Sequence, residues 1–93
     1  MKDTVSRLKA LSGDCILRHA AGYDWLVRVK QDSAKYIQPV LLNEAGTAIW
    51  RAISLGKGEE KLISILAGDE KPTEETRQDL TEFLLQLCTA LGG

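Results

Sequence analysis

Basic tracts, cysteine clusters and long hydrophobic runs are all missing from this 93-residue chain. The formal net charge of −1 includes no polybasic segment that could neutralise a row of phosphates or dock on an anionic membrane. Cys15 and Cys88 have no C-x-x-C spacing and His19 is the single histidine, so the sequence predicts neither a zinc site nor a disulfide framework. No stretch approaches the ~20 apolar residues of a membrane span. We therefore expect a cytoplasmic protein that binds neither a membrane nor a nucleic acid.

Catalytic side chains are equally scarce. No Ser/His/Asp or Cys/His set can be assembled around His19, and no glycine-rich phosphate loop follows a predicted strand. The paired carboxylates Glu59-Glu60 and Glu74-Glu75 stand at predicted helix starts, where the helix dipole favours negative charge. We expect a domain that is not an enzyme and has no cofactor or metal.

Apolar residues make up 44% of the chain and charged residues 27%, which predicts one folded domain over residues 1–93. Residues 1–13 have only weak helical spacing and are predicted to be a loosely ordered lead-in or a short helical turn. The charges are unevenly spread. Residues 1–35 carry seven Lys/Arg against four Asp/Glu, and residues 36–93 carry five against nine, so the second part is acidic.

Three segments rich in β-formers follow the lead-in: Cys15 to His19, Tyr23 to Lys30, and Tyr36 to Leu42. Turn residues separate them at Ala21-Gly22 and Gln31-Asp32-Ser33. They predict a three-stranded antiparallel meander within residues 14–43. The middle segment alternates between two sets of side chains, Trp25, Val27 and Val29 against Leu26, Arg28 and Lys30. We expect the first, apolar set to face the core and the second to face water.

Three helices are predicted within residues 44–91. The first is capped by Asn43 and has an apolar stripe at Ala48, Ile49, Ala52 and Ile53. The second runs from about Glu59 to Ala67, and the third is capped by Thr73 and continues to Leu91. A sheet of three strands followed by three helices predicts an α+β fold that is winged helix-turn-helix-like.

Two spaced motifs in this pattern resemble the PqqD family. Leu42-Asn43-Glu44-Ala45-Gly46-Thr47-Ala48-Ile49-Trp50 is similar to the family's strand-to-helix signature, and Asp79-Leu80, Phe83-Leu84 and Leu87 are similar to its spaced pattern in the third helix. The resemblance covers residues 15–91. It implies a non-catalytic peptide chaperone that binds the leader segment of a ribosomally made precursor peptide. It also implies presentation of that leader to a modifying enzyme, often a radical SAM protein, in RiPP or PQQ-type cofactor biosynthesis.

In the family the leader adds as an extra strand to the edge of the sheet and is clamped against the third helix. Pro39 points to the same edge, because proline has no N–H for a sheet ladder and belongs on an edge strand. If this strand is regular, Ile37 and Leu41 share the outward main-chain orientation of Pro39. Asn43 then ends the strand.

The wall on the third helix is assigned by helical spacing around Leu80, since one flank of the buried stripe is more apolar than a solvated surface needs. A wide core stripe explains that flank equally well, and the spacing does not decide which flank faces the strand. The complete predicted peptide site is Ile37, Pro39, Leu41, Asn43, Arg77, Thr81, Leu84, Leu85 and Cys88.

Two other functions are compatible with this fold. A winged-helix DNA-binding regulator would use the third helix for recognition, but Glu74, Glu75, Asp79 and Glu82 outnumber Arg77 there. A dimerisation module would pair the exposed strand with its own copy. For the peptide-binding interpretation we expect a monomer or a weak dimer.

Overall fold

A computed structural model of the protein describes residues 1–29 and 37–92. Its elements in chain order are α1 (Lys2–Ser12), β1 (Cys15–Ala20), β2 (Tyr23–Arg28), β3 (Val40–Leu42), α2 (Glu44–Ser54), α3 (Glu59–Ala67) and α4 (Glu74–Ala90). The predicted turn at Gln31-Asp32-Ser33 and the predicted strand ends at Lys30 and Tyr36 lie outside the described residues.

The three strands form one antiparallel sheet in the order β1-β2-β3. In β1 and β2, Cys15 lies opposite Arg28 and Ala20 lies opposite Tyr23. The turn between them is Ala21-Gly22, and both residues have positive φ angles, 56° and 81°, as a type I′ hairpin turn requires. The sheet and the helices after it confirm the predicted α+β fold.

The first thirteen residues are not a loose lead-in. They form α1, a helix of 11 residues whose Val5 and Leu8 are buried, and the helix packs against α2 and α4. A helix this short is marginal in water on its own, so its stability comes mainly from this packing. The weak apolar spacing was a poor guide, because two buried side chains are sufficient when two other helices supply the opposing surface.

The prediction of which sheet face is buried was wrong. Leu26, assigned to the wet face, is completely buried, whereas Trp25 and Val27 are half-buried and Val29 is exposed. Cross-strand partners lie on the same face of a sheet, and Leu26 is flanked by Leu17 on β1 and by Val40 on β3. This is the face that meets the helices.

Helix boundaries agree with the predicted caps. The Asn43 side chain accepts a hydrogen bond from the Gly46 N–H at 2.7 Å, and Thr73 forms a reciprocal capping box with Thr76. In the α2 stripe, three of the four predicted residues are buried, but Ala48 is exposed and Trp50 is buried. The cap at Asn43 fixes where β3 ends and α2 begins, and so positions the strand edge relative to the helices.

Candidate functional site

β3 is an edge strand, as the sequence predicted, but it is shorter than predicted. It includes only Val40–Leu42, and Ile37 and Pro39 precede it in irregular structure. Within the part of the chain that the structure describes, β2 is the only strand that pairs with β3. The outer side of β3 therefore has main-chain groups that could pair with an added strand.

A cleft of about 370 Å³ opens beside this edge, between β3 and α4. It is lined by Tyr23, Leu41, Leu42, Asn43 and Phe83. Leu41 is 52% exposed and the Phe83 side chain is half-buried, so the cleft presents apolar surface directly next to the open edge. A strand added to β3 would find side-chain contacts in the same place as its main-chain partners.

Gly46 explains why an aromatic ring can lie at this position. A Cβ atom on Gly46 would come 3.2 Å from Phe83 Cζ and 3.1 Å from Asn43 Oδ1, which is tighter than ordinary van der Waals contact. The missing side chain therefore lets the Phe83 ring rest against the first turn of α2. The same turn is held by the bond from the Gly46 N–H to Asn43.

The structure brings together only part of the predicted site. Leu41 and Asn43 line the cleft. The Ile37 side chain instead lies at the end of α4, where a Cβ on Gly92 would approach Ile37 Cδ1 to 2.9 Å. Pro39 borders a separate groove on the outer face of the sheet, next to Trp25.

The predicted flank of α4 lies away from the cleft. Thr81 and Leu85 are each two residues from Phe83, which corresponds to about 200° around a helix, so both project to the opposite side. Arg77 and Thr81 border a shallow hollow formed by α4 itself. Leu85 is 51% exposed and makes no part of the cleft.

Two further predicted contact residues belong to the core. Leu84 is 0% and Cys88 5% exposed, so they support the domain and offer no surface to a ligand. Phe83, which belongs to the second PqqD-like motif but not to the predicted peptide site, is the α4 residue that lines the cleft. The signal for it was Gly46, a residue without a side chain in the first turn of α2 that leaves room for a ring.

A larger cavity of about 670 Å³ continues past the end of β3. The hairpin turn, the face of α2 from Thr47 to Leu55 and the start of α3 enclose it, and Arg51, Lys57 and Lys61 are on its lining. It shares Tyr23, Leu42 and Asn43 with the cleft beside α4. No sequence motif predicted this cavity.

The Asp24 carboxylate is the best-bonded acidic group in that cavity. His19 Nδ1 lies 2.9 Å from Asp24 Oδ1, and the Thr47 hydroxyl donates to Oδ2 at 3.1 Å. The hydrogen bond with His19, followed by that from Thr47, holds the pKa of Asp24 below its ordinary value. Asp24 is consequently ionised at neutral pH, with both oxygens engaged.

Metal-binding clusters and disulfide bonds are not found among the described residues. These residues contain no group of three or more His, Cys, Asp or Glu side chains that could hold a metal ion, and Cys15 and Cys88 are free thiols. None of their helices has the length and apolar character needed to cross a bilayer. What the site offers is an open strand edge, an apolar cleft and a basic cavity.

No protein-family model, curated protein or solved structure matches this chain.

Proposed function

We propose that this domain is a non-catalytic peptide-binding protein that holds the leader segment of a ribosomally made precursor for a modifying enzyme. The observation that carries the proposal is the open β3 edge beside the cleft at Phe83. Strand addition needs both features, since main-chain bonds supply register and side-chain pockets supply selectivity. The two PqqD-like motifs support the same interpretation, because one contains the Asn43 junction and the other contains Phe83.

The energetics require the cleft to contribute much of the affinity. Each main-chain hydrogen bond adds only about 0.5 to 1.5 kcal/mol net. A strand of three residues offers few of them, and micromolar binding needs roughly −8 kcal/mol. Apolar contacts with Leu41 and Phe83 are therefore expected to dominate, as buried aromatic anchors commonly do in interfaces.

The partner of the loaded domain would be a peptide-modifying enzyme, with a radical SAM protein as the leading candidate from the family resemblance. In this scheme the domain increases the local concentration of the precursor at the enzyme, as tethered binding modules do. It supplies no reacting group of its own.

The α4 surface gives no support to the DNA-binding alternative. Glu74, Glu75, Asp79 and Glu82 are all exposed on this helix, and Arg77 is the only cation among its described residues. A recognition helix must approach phosphates, and this charge would repel them.

Peptide selection tests the proposal and does not require the precursor itself. Linear random peptides of about 12 residues, displayed on phage, are selected on the immobilised domain, and enriched peptides are titrated by calorimetry. We expect Phe83→Ala to weaken binding about tenfold or more, because it removes the aromatic wall of the cleft. Leu85→Ala is the matched control, since Leu85 is an exposed apolar residue on the other side of the same helix.

Single N-methylation along the enriched peptide tests strand addition itself. Removing one amide N–H at a time should weaken binding at every second position, because alternate residues of a strand bond to the same neighbour. Equal effects at all positions, or NMR shift changes that avoid Val40–Leu42, would contradict the proposal. A selection that enriches no peptide would also contradict it.

A further inference from the structure

The cavity past the end of β3 concentrates positive charge in the acidic part of the chain. Residues 36–93 contain five Lys/Arg against nine Asp/Glu. Three of those five cations, Arg51, Lys57 and Lys61, line this one cavity. If the five cations were placed at random over the helices and their loops, three of them would not be expected to line one cavity.

These three cations form no ion pair within residues 1–29 and 37–92. All three side chains are exposed, and none lies within salt-bridge distance of a described carboxylate. The cavity also contains Asp24 and Glu44. Asp24 keeps its negative charge although His19 and Thr47 bond its oxygens, and that charge interacts with Arg51. Asp24 and Glu44 therefore both compete with an incoming anion for the three cations.

The cavity adjoins the open strand edge at the C-terminal end of β3. In an antiparallel pair, the N-terminal half of one strand lies opposite the C-terminal half of the other. A peptide added antiparallel to β3 would therefore place its N-terminal flank beyond Leu42. Leu42 and Asn43 border both the apolar cleft and the basic cavity, so that flank would enter the basic cavity.

Resting on the proposed function, we infer that the bound peptide is one with Asp or Glu on the N-terminal side of its strand-forming segment. Arg51, Lys57 and Lys61 bind those carboxylates. The apolar cleft then selects the strand segment, and the basic cavity selects its direction. A peptide bound in the reverse direction would place the same acids near Val40, away from the three cations.

Charge placement in the peptide tests this inference. Three synthetic peptides share one strand segment, taken from the selection above, and carry Asp-Glu-Asp on the N-terminal flank, Asp-Glu-Asp on the C-terminal flank, or Asn-Gln-Asn on both. We expect the first to bind about three- to 150-fold more tightly than the third, the range for three exposed ion pairs formed together. Raising the salt concentration should shrink this difference.

Neutralising the cavity should remove the preference while leaving the strand interaction. In the double variant Lys57→Gln/Lys61→Gln only Arg51 remains of the three cations, so most of the difference in affinity between the first and third peptides should disappear. Lys71→Gln is the matched control, because Lys71 is exposed and is not on the cavity lining. In that control the preference should persist.

The outcomes separate the two proposals. If all three peptides bind at the β3 edge with equal affinity, or if the C-terminal acids are preferred, the inference about the basic cavity is overturned and the proposed function stands. If the N-terminal acids are preferred equally in the Lys57→Gln/Lys61→Gln variant, the cavity is also excluded as the site. If none of the peptides binds, the proposed function falls and the inference falls with it.

Discussion

The two faces of β2 are not buried as a count of their hydrophobic residues would predict. The face against the helices includes Asp24 and Arg28 on β2, with Leu26 between them. On the same strand the outer face has the apolar residues Trp25 and Val27, and neither is fully buried. Hydrophobic alternation along one strand therefore identifies two faces but does not identify the buried one.

The charged residues on the face of β2 that meets the helices have hydrogen-bond partners on those helices. Arg28 Nη1 donates to the carbonyl oxygen of Leu91 at the C-terminal end of α4, where a cation is favoured by the exposed carbonyls and the helix dipole. Asp24 accepts from Thr47 of α2. A charged residue can thus belong to the interior face when a neighbouring helix satisfies it. The outer-face aromatic is also anchored, because the Trp25 Nε1–H donates to the Ala20 carbonyl at 3.1 Å.

The sharpest test of the comparison uses two adjacent residues of β2. Leu26→Ala should lower the free energy of unfolding by about 2 to 5 kcal/mol, because it leaves a cavity at a fully buried position. Val27→Ala, on the half-buried outer face, should cost about 1 kcal/mol or less. Urea unfolding followed by circular dichroism measures both. Equal losses would mean that the two faces are buried alike, contrary to the structure.

A second test replaces one arginine on each face of the sheet with methionine. Arg28→Met should destabilise the protein by about 1.5 to 3 kcal/mol, the range for hydrogen bonds to charged groups, because the end of α4 loses its donor. Arg18→Met changes an exposed arginine that lies opposite Trp25 on the outer face, and should shift stability by no more than about 0.5 kcal/mol. A larger effect at Arg18 than at Arg28 would reverse the assignment of the faces.

The smallest expected effect is the pH dependence at Asp24. Its pKa is lowered in the folded protein, so its contribution to stability is present above the ordinary value of 3.8 and is lost as the pH falls through the folded value. The stability difference between the wild type and Asp24→Asn should be present at pH 7 and shrink below about pH 4. Urea titrations of both proteins at pH 7 and at a pH below about 4 measure this difference in stability. Asp3→Asn is the control, because Asp3 is exposed. A difference that stays constant with pH would assign the effect to something other than ionisation.

Much of the fold was predictable because its signals are local. The caps at Asn43 and Thr73 and the hairpin turn at Ala21-Gly22 each depend on a few neighbouring residues. The proposed peptide site was predicted only in part. Its strand edge was predicted from Pro39, which in the structure lies just before β3. Its helix wall at Phe83 depended on which flank of α4 meets β3, and that is a relation between elements far apart in the chain.

The sequence by itself determined the type of each main element after residue 14 and the edge position of β3. Only the tertiary structure decided which face of β2 is buried, that residues 2–12 form a packed helix, and which α4 side chain meets the strand. The physical reason is that periodicity constrains the directions of side chains relative to one another within an element. The surface that each direction meets is supplied by other elements, as α2 and α4 supply Thr47 and the Leu91 carbonyl to the two charged residues of β2.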